Sequence, residues 1–128
     1  SEKVNYDVNF IEKKGDDLIN NKIISEITML TSKGSKRIYN IKLISDYTKS
    51  IISKDAKGSA TNYELNVNVI FYIEYENIEK TITLNEKQNI KKIEDIFEQR
   101  NYENTLKNNF AASIVNKLNI ELLSIKWF

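Results

Sequence analysis

The stretch Tyr63-Glu64-Leu65-Asn66-Val67-Asn68-Val69-Ile70-Phe71-Tyr72-Ile73-Glu74-Tyr75 decides the fold. Tyr63, Leu65, Val67, Val69, Phe71, Ile73 and Tyr75 occupy every second position over thirteen residues. Asn62, Glu64, Asn66, Asn68 and Glu74 take the other parity. A period of two sends alternate side chains to opposite faces, so this is a strand with one buried and one wet face. A mean strand has only ~5–6 residues, so one of this length belongs at the centre of a sheet. Ile70 and Tyr72 interrupt the polar face and are candidates for contact with a partner.

Upstream, the polar run Ser53-Lys54-Asp55-Ala56-Lys57-Gly58-Ser59 reads as a hairpin tip, and Ile38–Ile52 as the strand that enters it. Tyr39, Ile41 and Leu43 share one face of that strand; the pattern blurs from Ile44 to Tyr47, which suggests a bulge there. Downstream, Glu76-Asn77 turns into a further strand marked by Ile78, Ile82 and Leu84. Val4, Tyr6, Val8 and Phe10 alternate into a first strand.

Two segments change period. Ile19, Ile23, Ile27 and Leu30 form one helical stripe, with Asn20, Asn21, Ser25 and Glu26 placed off it and Asp16 or Asp17 available as a cap. Leu106, Phe110, Ile114 and Leu118 form a second, widened by Ala111 and Val115, with Lys107, Asn108 and Asn116 outward. This helix starts near Asp95 or Asn101 and ends near Leu118, after an irregular charged stretch from Ile90 to Arg100. Ile120–Phe128 reads as a short extra strand or a docked extension, and Trp127 with Phe128 as an aromatic pair on a contact surface or against the sheet. The expected fold class is α+β: a two-layer α/β sandwich in the order β-α-β-β-β-α, with a four-stranded mixed sheet and two helices on one face, forming a single domain over residues 1–128.

Composition narrows the function. With 128 residues there is enough chain for one core. The 19 Lys and Arg balance 18 Asp and Glu, which disfavours nucleic acid as the main partner. No His and no Cys leave no thiol chemistry, no Ser-His-Asp triad and no ordinary zinc or haem site, so neither metal nor cofactor is expected. The expectation is a binding or scaffolding domain rather than an enzyme. Abundant Ile (20), Asn (17) and Lys (17) reflect A/T-rich codons more simply than any function. The longest apolar run, Val69–Ile73, is far below the ~20 residues of a spanning helix. Ser1–Phe10 lacks the features of a signal peptide.

Lys57-Gly58-Ser59-Ala60-Thr61-Asn62-Tyr63-Glu64-Leu65 resembles the basic loop, Gly and Tyr-x-Leu entry into the long strand of the LPS-assembly lipoprotein LptE family. Glu98-Gln99-Arg100-Asn101-Tyr102-Glu103-Asn104-Thr105-Leu106 and Ala111-Ala112-Ser113-Ile114-Val115-Asn116-Lys117-Leu118 resemble the two ends of that family's last helix. The resemblance covers nearly the whole chain. It implies a lipoprotein on the periplasmic side of the outer membrane, which plugs and helps assemble the LptD β-barrel and binds lipopolysaccharide. The family's lipid-bearing cysteine precedes the first strand, so the membrane link expected here is an N-terminal lipid anchor upstream of Ser1. The resemblance places lipid phosphate near Lys54 and Lys57 on the hairpin tip, with Lys49 in the same hairpin. A second basic position corresponds to Lys91 or Lys92, or falls on the acidic Asp95. Lysines on an exposed turn also serve simply to keep an edge soluble. Two other readings stay open: a different periplasmic lipoprotein accessory domain, and a small enzyme using paired carboxylates.

Overall fold

The computed structural model describes residues 3–125 and 127. Its elements run β1 (Asp7–Lys14), α1 (Asp17–Leu30), β2 (Ile38–Lys54), β3 (Ala60–Tyr75), β4 (Ile78–Lys91) and α2 (Ile96–Ser124). The strands form one mixed sheet in the order β1-β2-β3-β4. β1 lies parallel to β2, as a strand–helix–strand crossover allows, and the other pairs are antiparallel hairpins. The class and element order are those the alternation implies.

The register follows β3. Leu65, Val67, Val69, Phe71 and Ile73 are buried, while Asn66 and Asn68 are not. Tyr39, Ile41 and Leu43 of β2 and Ile82 and Ile90 of β4 join them on the same face. Ile19, Ile23 and Ile27 of α1 and Leu106, Phe110, Ile114 and Leu118 of α2 complete one core, so both helices cover this face. The opposite face carries polar rungs: the Asn9 side chain bonds Asn40 (3.2 Å), which bonds Glu74 (3.0 Å).

Several boundaries differ from the sequence reading. No bulge interrupts Ile44–Tyr47; β2 pairs with β3 without a shift from Asn40 to Ile51, and the irregularities fall at Ser53 and, in β1, between Phe10 and Glu12. The blurred pattern has another cause. Ser45 sits on the core face, buried, because its hydroxyl accepts the Asp16 N–H (3.0 Å) at the start of α1. β4 runs on through Ile90, which is buried opposite Tyr63, and only Lys92–Asp95 separates it from α2. α2 continues past Leu118 to Ser124, so Ile120–Ser124 is helix rather than strand. Trp127 then docks: it is buried and stacks on Tyr39 at 5.3 Å, beside Tyr75 at 5.4 Å. Phe128 lies outside the described residues. Asn20 is also not on a wet face; it is buried, with its amide donating to the Lys14 carbonyl (3.0 Å).

Candidate ligand-binding site

β2 and β3 are longer than the body they cross. Every residue from Thr48 to Lys54 is exposed, and past the Lys49–Glu103 contact with α2 the hairpin runs on to its tip. Its tip is set by Asp55, whose carboxylate accepts the backbone N–H groups of Lys57 (2.9 Å) and Ser59 (3.0 Å). Gly58 sits at φ +84°, the left-handed conformation that closes the turn and that a side chain disfavours. Lys54 and Lys57 are both exposed at this tip.

The end of β4 lies alongside. Asn62 pairs with Lys91, and the Lys92 N–H donates to the Thr61 carbonyl (2.8 Å). Between tip and strand end is an open groove of about 500 Å³ lined by Asp55, Ser59–Asn62, Lys91, Lys92 and Glu94. The fold thus gathers Lys54, Lys57, Lys91 and Lys92 at one end of the sheet. Their ammonium groups suit phosphate or carboxylate oxygens. Asp95 is not part of that cluster; it caps α2 by accepting the Glu98 N–H (3.0 Å). Among the described residues no group of three or more His, Cys, Asp or Glu is placed to hold a metal ion.

Lys49 stands apart from the other four. It pairs with Glu103 of α2 at 2.8 Å and lies 4.4 Å from the centroid of the Tyr63 ring. Glu103 also accepts from the Tyr47 hydroxyl (2.9 Å) and the Gln99 amide (2.7 Å), and Gln99 in turn accepts the Ile93 N–H (2.7 Å). Next to it Lys107 pairs with Asp16 at 2.7 Å, over the Tyr47 ring at 4.2 Å. Lys107 therefore faces inward, against the sequence reading. This clasp fastens α2 to β2, to α1 and to the β4–α2 connection. Burial works against the charge of Glu103, but Lys49, Gln99 and Tyr47 together outweigh it and hold its carboxyl below the usual range. Asp16 is lowered in the same way: burial opposes, while Lys107 and the Ile19 and Leu18 amides prevail. Burial, then the Glu103 carboxylate, pushes the Tyr47 hydroxyl up. Sequence reading missed the clasp, although Tyr47 and Lys49 on the core parity of β2 were its visible trace.

No protein-family model matches this chain, and no curated protein matches it. Solved structures do. Rare lipoprotein B from Shewanella oneidensis superposes with a TM-score of 0.66 at 12% identity, over 91% of this chain and 95% of that one. The chain has the rare lipoprotein B fold. A lipoprotein B from Nitrosomonas europaea matches with a TM-score of 0.56 at 15% identity, over 92% of this chain and 84% of that one. A minor lipoprotein from Acinetobacter baumannii gives 0.56 at 13% identity, over 91% and 90% of the two chains. The rare lipoprotein B fold is the LptE-type fold that the motifs of β3 and α2 resemble.

Proposed function

We propose that this chain is the folded domain of an LptE-like lipoprotein of the bacterial outer membrane. It is held on the periplasmic side by a lipid anchor upstream of β1, binds lipopolysaccharide and serves assembly of the LptD barrel without catalysing a reaction. The fold shared with lipoproteins across nearly the whole chain supports this reading. The observation that carries the ligand part is the lysine cluster of the β2–β3 hairpin. Lys54 and Lys57 on the tip and Lys91 and Lys92 at the end of β4 lie at one end of the sheet, four ammonium groups beside the carboxylates of Asp55 and Glu94. β2 spans roughly 55 Å, so the tip lies far from the start of β1, where an anchor would attach. A tethered domain would hold the cluster well away from the membrane that carries it.

The test is lipopolysaccharide binding by the isolated domain at low ionic strength. Lys54→Glu with Lys57→Glu should weaken binding by about tenfold or more, since each charge-assisted hydrogen bond is worth ~1.5–3 kcal/mol. Thermal stability should stay within ~0.5 kcal/mol, because both side chains are exposed. Binding equal to that of the parent would reduce the tip to a solvated turn. Barrel assembly is read separately, by co-purification of the lipidated full-length protein with an outer-membrane barrel.

A further inference from the structure

β4 is a fourteen-residue edge, paired with β3 without any register shift, and its other side is unpaired among the described residues. The turn before it fixes which groups are free. Glu76 and Asn77 both have positive φ (48° and 66°), the two-residue hairpin turn in which Tyr75 and Ile78 exchange both hydrogen bonds. Even-numbered residues of β4 therefore bond to β3, and the N–H and C=O groups of Glu79, Thr81, Thr83, Asn85 and Lys87 point away from the sheet. One of them already shows this direction: the Asn85 carbonyl is 3.4 Å from the Lys117 ammonium on α2.

We infer that β4 is a self-complementary edge, through which two copies of this chain pair antiparallel about Thr83 into one continuous sheet. The charges select this register. With Thr83 opposite Thr83, Glu79 meets Lys87 of the second copy and Lys80 meets Glu86 of the second copy, each twice by symmetry. Moving the centre to Ile82 or to Leu84 sets all four charges opposite neutral side chains. The apolar positions agree, since Ile82 falls beside Leu84 of the second copy on the helix-covered face and extends the core across the joint. Opposite charges directly across an antiparallel pair stabilise it, and like charges there destabilise it. Lys117, which pairs with Glu86 on the same edge, keeps that partner and gives up only the long contact to the Asn85 carbonyl.

The test is the oligomeric state of the isolated domain by sedimentation velocity over a wide concentration series. A monomer–dimer equilibrium is expected. Glu79→Lys or Lys87→Glu alone sets like charges opposite each other twice, and each should raise the dimer dissociation constant by about tenfold or more. Mixing the two variants restores both pairs and should restore association. Both side chains are exposed, so circular dichroism should show the native fold in each. Hydrogen exchange on the unaltered chain gives a second readout: the Thr83 amide should slow as concentration rises. A chain that stays monomeric with a Thr83 amide indifferent to concentration overturns the inference. So does a dimer that neither charge reversal weakens, or one whose mixed variants associate no better than either alone.

Discussion

Gly15 shows how much one residue carries. It lies at φ +107°, and a Cβ there would sit 1.8 Å from the Ser45 carbonyl oxygen, which is backbone and cannot turn aside. Gly15→Ala should cost about 3 kcal/mol, combining a strained conformation with that clash. Gly34, at φ +78° with nothing near its missing side chain, should lose only about 1 kcal/mol as Ala. Urea denaturation of the two variants checks the contrast; equal losses would mean that β1 and β2 can shift apart at no cost. Glu103 is the second such residue. Its folded value lies below the ordinary 4.5, so the unfolded chain takes up its proton first as the medium is acidified. The stability it supplies is complete above about pH 4.5 and is lost as the pH falls through its folded value. Glu103→Gln should cost about 2 kcal/mol at neutral pH and flatten the acid limb of the stability profile, leaving Asp16 and Glu86 to account for what remains. A parallel downward shift of the whole profile would assign the loss to packing instead.

At the scale of the elements, turns and helix ends follow local rules, and those rules predict where the chain has room to improve. Glu76 occupies a left-handed position that asparagine or glycine adopts more readily. Glu76→Asn with Asn77→Gly should stabilise the β3–β4 hairpin by about 1 kcal/mol, read as a raised melting temperature. No gain would mean that the turn is held by the strands and not by its own residues. The same rules explain what sequence made visible. β3, the stripe of α1 and the core stripe of α2 were legible because each buries one regular face. Lys54 and Lys57 were legible as a basic tip, and Lys91 or Lys92 only as a second position that the family resemblance implied; the antiparallel register of β3 and β4 brings that second pair to the tip. Ser45, Tyr47, Lys49 and Lys107 were not, because polar side chains on buried positions answer to partners far away in the chain. Lys49 and Glu103 are 54 residues apart. The end of α2 was missed for a related reason: past Leu118 the core needs only Leu122, and the exposed Ile120 and Leu123 blur the period.

For the molecule as a whole, the core closes on Tyr39, which is fully buried under Tyr6, Tyr75 and Trp127 at 5.3 to 5.4 Å. Trp127 is the sole tryptophan, so its fluorescence reports on this cluster alone. Trp127→Ala should destabilise the domain by about 3–5 kcal/mol, and in the parent chain emission should redden in step with the loss of circular dichroism. Reddening well before unfolding would show that the segment after α2 undocks by itself. Tyr6 meanwhile donates its hydroxyl to Asn119, 113 residues away, and burial followed by the neighbouring Tyr39 pushes its ionisation up to about 12. The first and last stretches of the described chain thus meet at one pole of the domain, while the β2–β3 tip stands at the other. Such a layout lets the chain ends be moved to an exposed turn: joined by a short glycine-serine bridge and opened between Ala56 and Lys57, the same residues should fold as a circular permutant with the parent's circular dichroism spectrum.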